Sequence, residues 1–422
     1  MADAHLVATF FLQIAVILLV CRLVGWCAQK LGQPQVVGEM VAGFLMGPSL
    51  FAALAPQLQA TIFPAETKRV LFVVSQLGVV LYMFCVGLEF RLDAIRRQAR
   101  RAAAVSIAGI IVPFALGALL ATGLYEAGGF FSAGVNEFQA VLFLGIAMAI
   151  TAFPMLARII YERGIAGTEL GTLALAAGSI DDAVAWIGFA VVLGSFTGST
   201  TLAVTAAVGG LLYVIVVVAG RPILVRMNAA AEASGTLPPW MLASMLSALG
   251  FGAWFTELVG IYAVFGAFVL GAAVPPGRLS HELQRLIEPV TTALLVPLFF
   301  VYSGLNSQIA LVNSAWLWAV TAAVFLAACL GKGLGCWAAA RLTGASPRDA
   351  AGIAVLMNCR GMMELILLNI GLQRGLITPT LFTIMVLMAI ATTLMTGPLF
   401  AWLERRRLAE RPRRQVALGE TV

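Results

Sequence analysis

Successive apolar runs, each close to the roughly 20 residues needed to cross a hydrocarbon core, leave this 422-residue chain few ways to fold. Inside a bilayer every backbone N–H and C=O needs a partner within the protein. The runs show no alternating strand pattern, so each is read as a helix. With 61% hydrophobic and 11% charged residues, the chain is expected to be an all-α polytopic membrane protein of about 13 transmembrane helices. The spans are read at 5–28, 34–54, 70–90, 102–125, 137–161, 168–195, 200–219, 238–256, 258–275, 286–305, 314–341, 349–373 and 378–403.

Charge in the loops tests that segmentation. Arg91, Arg96, Arg97, Arg100 and Arg101 follow the third span, Arg221 and Arg226 the seventh, and Arg278 and Arg285 the ninth. Arg341 and Arg348 follow the eleventh span, and Arg405, Arg406, Arg407, Arg411, Arg413 and Arg414 the last. All fall on one side if the spans alternate, whereas loops 126–136 and 306–313 carry no Lys or Arg; Lys68, Arg69 and Arg374 are the exceptions. The positive-inside rule puts the N-terminus outside and the C-terminus in the cytoplasm of a multi-pass cell-membrane protein. The net charge of +6 is then a basic cytoplasmic rim facing lipid headgroups, not a nucleic-acid footprint. The first apolar run lacks a basic leader and reads as a true span. The short basic tail, 404–422, has no room for a nucleotide-binding domain.

Charges inside the apolar runs carry the functional signal. Asp181 and Asp182, two of only five aspartates, stand together deep in the sixth span. At 1.5 Å per residue Asp181 is about 20 Å into its helix, near the bilayer centre, where a carboxylate is costly and marks an ion or proton pathway. Adjacent helical residues point about 100° apart, so one acid can meet a partner helix while the other faces a water-filled cavity. Lys332, one of three lysines among 23 arginines, lies between Gly331 and Gly333 in the eleventh span and can pair with one aspartate. The alternative is a static buried pair that only orients helices.

Two spans read as interrupted. In the fifth, Pro154 removes a backbone donor and frees the carbonyl near Ile150, and Thr151 adds a hydroxyl. In the twelfth, Asn358, Arg360 and Gly361 gather at membrane depth, with Glu364 four residues beyond Arg360 and read as a local bridge to it. With the seventh span as a linker, two groups of six would be inverted repeats, and these two spans would occupy equivalent places. Paired interrupted helices are the best sequence pointer to a transporter's midplane site. Glu39 and Glu89, at span ends, are read as packing or capping groups. The six cysteines, all within spans, lack metal or disulfide spacing, and the two histidines lie at span ends. No catalytic constellation, phosphate-cradling loop or cofactor motif is present, so the chain is not read as an enzyme.

These residues together resemble the monovalent cation:proton antiporter superfamily, in the branch holding Kef-type transporters, bacterial sodium/proton antiporters and plant cation/H⁺ exchangers. The resemblance covers nearly the whole chain. It rests on Gln33-Pro34-Gln35-Val36-Val37-Gly38-Glu39, Ala42 to Ser49, Phe84 to Glu89, Thr151 to Pro154, Asp181-Asp182 and the run Met357 to Ile366. It implies a homodimer, with a dimerisation scaffold at 1–90 and 238–305, a mobile core at 102–195 and 314–403, and a linker helix at 200–226. It also implies that Asp182 is the primary cation and proton carboxylate, that Asp181 pairs with Lys332, and that Thr151 completes the cation's coordination. An aspartate pair with a lysine is the pattern of electrogenic members. The expected function is therefore exchange of Na⁺ or K⁺, with Li⁺ as a further substrate, for protons by alternating access, serving pH homeostasis without a cofactor. A cation channel or uniport pathway and a proton-driven organic-solute exporter are the competing readings.

Overall fold

The computed structural model describes residues 2–89, 99–165, 167–196, 200–260 and 262–417. Within these, the side chains of 2–4, 99, 154, 158, 161–162, 182–183, 186–187, 189–196, 200–203, 206–207, 362 and 406–417 lie outside the description. Arg91, Arg96 and Arg97, and the side chains of Pro154 and Asp182, therefore fall outside the described residues.

The described chain is helical nearly throughout, its only bridge an isolated antiparallel pairing of Phe131 with Ile377. In order the helices are α1 (Ala2–Lys30), α2 (Gln35–Met46), α3 (Phe51–Leu54), α4 (Pro56–Ile62), α5 (Ala65–Glu89) and α6 (Ala99–Ala127). Next come α7 (Glu137–Ala149), α8 (Phe153–Glu162), α9 (Glu169–Phe196), α10 (Thr200–Ser234), α11 (Pro239–Leu258), α12 (Ala263–Ala273) and α13 (Arg278–Val290). The last are α14 (Val296–Leu305), α15 (Ala315–Leu342), α16 (Pro347–Met357), α17 (Met362–Gln373) and α18 (Pro379–Ala417).

Among the described residues, nine helical stretches are long and apolar enough to cross a membrane. Three further apolar helices, Glu137–Ala149, Ala263–Ala273 and Met363–Gln373, are too short for that test. Two of these are halves of the spans read as interrupted. Other boundaries differ from the sequence reading for local reasons. The span read as 200–219 continues to Ser234, because Arg221 and Arg226 are exposed and a charge at the helix surface does not end a helix. The span read as 286–305 begins eight residues earlier, at Arg278, and passes through a π turn at Thr291–Leu295 just after Pro289.

The chain divides into two compact units. One comprises Met1–Arg22, Ala42–Leu92 and Trp186–Asn306; the other comprises Leu23–Val41, Asp93–Ala185 and Ser307–Val422. In the first, α5 packs on α12 and α14. Small residues set those distances. A Cβ on Gly304 would collide with the Gly43 carbonyl, and one on Gly271 with the Phe84 carbonyl. Such close backbone approach is how membrane helices gain contact where lipid supplies no hydrophobic drive. In the second unit, α6 packs against both α7 and α15. A Cβ on Gly117 would lie 2.9 Å from Leu144 O, and one on Gly335 2.7 Å from Ala108 O.

Gly304→Ala is expected to lower the thermal unfolding midpoint in detergent by overpacking, a cost of roughly 1–3 kcal/mol. A midpoint matching wild type would show that the Gly43–Gly304 contact does not limit packing.

Candidate cation site at two interrupted helices

α7 stops at Ala149 and α8 starts at Phe153, leaving Ile150, Thr151 and Ala152 outside helical geometry. Pro154 accounts for the gap, since it has no N–H to donate to the Ile150 carbonyl. α16 stops at Met357 and α17 starts at Met362. Gly361, at the head of α17, has φ 154°, and a Cβ there would also crowd Met155 Cγ at 3.1 Å. Glycine is the residue that tolerates both.

The two gaps bond to one another. Ala152 N–H donates to Cys359 O at 3.0 Å, and Thr151 Oγ1 lies 3.3 Å from Met357 O. Two buried cations then close the end of α7. Lys332 Nζ donates to Ala149 O at 2.5 Å; Arg360 Nη1 donates to Ala147 O at 2.9 Å and Nη2 to Met148 O. A helix C-terminus leaves its last carbonyls unpaired and carries the negative end of the helix dipole, so two cations there satisfy both needs.

Those cations bring carboxylates with them. Asp181 Oδ2 accepts from Lys332 Nζ and from Thr151 Oγ1, each at 2.7 Å. Asp181 is 1% exposed and Lys332 fully buried, so this is an ion pair inside the protein. Room for it comes from α6: a Cβ on Gly109 would lie 2.7 Å from Cys336 Sγ, 3.8 Å from Lys332 Nζ and 3.9 Å from Asp181 Oδ2. Gly331 and Gly335 on α15 press on Pro113 and Ala108 of the same helix. Glu364 Oε2 lies 3.3 Å from Arg360 Nη1, both side chains being fully buried. The contact spans four residues, but Arg360 precedes the helix rather than lying on its face, and most of its bonds go to α7.

Asn358 Nδ2 donates to Cys329 O at 3.2 Å. Among the described residues, Asp181 Oδ1, Asn358 Oδ1 and Glu364 Oε1 are buried acceptors without a donor. Buried oxygen acceptors of this kind suit a hard cation or a proton, either of which repays their desolvation. Asp182 follows Asp181 within α9, and its side chain lies outside the described residues. The structure thus joins Thr151, Asp181 and Lys332 in one cluster and Arg360 and Glu364 in another, both against the end of α7.

Two participants escaped the sequence reading. Gly109 is one among 42 glycines and carries no pattern of its own. Thr393 Oγ1 of α18 lies 2.7 Å from both Arg360 O, in the second gap, and Ala389 O of its own helix, and an apolar-helix threonine usually bonds only its own helix.

The residue pattern described as "Sodium/hydrogen exchanger, transmembrane" matches residues 15–405. The chain belongs to that family. It is 38% identical over 406 residues to the Na⁺/H⁺ antiporter NhaS4 of Synechocystis sp., covering 94% of this chain and 97% of the relative. It is 32% identical over 404 residues to the K⁺/H⁺ antiporter 1 of Saccharomyces cerevisiae, covering 92% of this chain but 46% of that longer protein. The structure of the sodium proton antiporter MjNhaP1 from Methanocaldococcus jannaschii superposes with TM-score 0.66 at 15% identity, covering 94% of this chain and 97% of the other, a likeness of fold. This family member is accordingly a multi-pass membrane protein of a transporter family.

Lys332→Met should lower the thermal midpoint sharply, because stranding one partner of a buried ion pair costs about 3–5 kcal/mol. Adding Asp181→Asn should recover part of that loss. Strictly additive losses would show that the two groups do not act as a pair.

Proposed function

We propose that the protein is a secondary active antiporter exchanging a monovalent cation, Na⁺ or K⁺, for protons. The observation that carries this reading is the Thr151–Asp181–Lys332 cluster at two helix gaps, with Asp182 next along α9. The names of the relatives and the family match support the same reaction class.

In this mechanism Asp182 takes either a proton or a cation, never both. The unit that holds the site moves only when that carboxylate is neutralised, since carrying a bare charge through an apolar surround costs several kcal/mol. That penalty couples the two fluxes and suppresses leak. Asp181 pairs with Lys332, and Thr151 with the opened backbone beside it supplies neutral oxygens to the cation. Arg360, Asn358 and Glu364 support the second gap.

Li⁺ is a further substrate, and transport is electrogenic through the aspartate pair and lysine. The wider architecture follows the same reading. Thirteen spans form two inverted groups of six about a linker, the two interrupted helices cross, and the protein is a homodimer of scaffold and core domains. It sits in the cell membrane with its N-terminus outside and its C-terminus in the cytoplasm.

Reconstituted into proteoliposomes under a pH gradient, the protein should dissipate that gradient on addition of Na⁺ or K⁺. Asp182→Asn should abolish the response; robust exchange by that variant would overturn the assignment. Because protons compete for the same carboxylate, the apparent KM for the cation should fall as pH rises and level off once the carboxylate is fully ionised. A KM independent of pH would argue for separate proton and cation sites, and cation flux without proton counterflow would favour a channel.

A further inference from the structure

α18 contains Pro398 in the middle of an unbroken helix. Proline has no N–H, so the carbonyl four residues earlier, that of Leu394, loses its helical donor. Leu394 is half-buried, and an unpaired carbonyl is costly to the extent that it is withdrawn from water. This one is not bare: Gln33 Nε2 donates to Leu394 O at 2.6 Å. Gln33 lies in the turn that ends α1, where its own N–H bonds Ala28 O at 2.9 Å. Gly397 makes room for the amide, since a Cβ there would lie 3.2 Å from Gln33 Oε1.

The residue just before Leu394 is Thr393, whose hydroxyl is shared at 2.7 Å between the Arg360 carbonyl and that of Ala389 in its own helix. Two consecutive residues of α18 thus face opposite duties. One is gripped by Gln33, and the other grips the gap from which Arg360 reaches the end of α7. All of these residues belong to the same compact unit.

We infer that Gln33 is a positioning residue for cation exchange: it supplies the hydrogen bond that Pro398 denies to Leu394, and through Thr393 it sets the geometry of the Arg360 gap. The inference rests on the antiport reading above. It gives a task to a glutamine that the site itself does not use.

The test is a cycle of four proteins: wild type, Gln33→Leu, Pro398→Ala and the double variant. Leucine keeps the bulk and removes the donor. Cation-driven proton flux in proteoliposomes gives KM and turnover, and thermal unfolding in detergent gives a midpoint. In the wild-type background Gln33→Leu should raise the apparent KM about tenfold, the scale of one lost hydrogen bond, with turnover changed by less than about twofold. In the Pro398→Ala background the same change should have almost no effect, because the restored N–H at position 398 takes over Leu394 O.

Equal KM shifts in both backgrounds, or none in wild type, would overturn the inference. Absence of cation-dependent flux in wild type would instead refute the antiport reading. In that case, or if Pro398→Ala carries no flux, the midpoints decide whether the bond exists. A loss on Gln33→Leu that disappears with Pro398→Ala upholds it, and equal losses sink it.

Discussion

A helix that ends inside a membrane leaves carbonyls that neither water nor lipid can satisfy, and the site is organised around that demand. α7 ends at Ala149, and its last carbonyls, from Ala147, Met148 and Ala149, are taken by Arg360 and Lys332. Two buried cations then require negative partners of their own. Asp181 meets Lys332, and Glu364 meets Arg360. The charge pattern of the core is thus a consequence of one interrupted helix as much as of the ion it is proposed to carry.

Prolines create such demands, and this fold answers them in different ways. At Pro154 the helix opens, and the freed backbone joins the site beside Thr151. At Pro289 the chain goes on through a π turn. At Pro398 α18 stays continuous, and an amide from another helix end bonds the Leu394 carbonyl. The outcome depends on what packs alongside. An opened helix can present backbone to a ligand, whereas a bonded one transmits position.

Close packing makes these bonds possible. Lys332 reaches Asp181 only because Gly109 leaves space on α6 and because Gly331 and Gly335 bring α15 against the same helix. Thr393 Oγ1 lies 2.7 Å from the Arg360 carbonyl. Gly109, Gly331, Gly335 and Thr393 carry no charge, and each acts by what it permits or restrains. Their influence on the proposed exchange would therefore run through geometry, while the roles proposed for Asp181, Asp182 and Lys332 run through charge.

Local properties of this protein were written in local patterns. Apolar runs determined where helices form, Pro154 and the Asn358 to Gly361 stretch marked where two of them break, and scarce charges marked the candidate site. Helix ends, the long α10 and the π turn were less legible, because exposed arginines and a single proline leave the neighbouring residues several compatible geometries. Tertiary structure alone decided which groups meet. Lys332 and Asp181 are 151 residues apart in the chain, Arg360 and Ala147 are 213 apart, and Gln33 and Leu394 are 361 apart. Periodicity and composition act over a few residues, whereas a hydrogen bond between distant helices depends on how closely their backbones approach, and that is settled by packing.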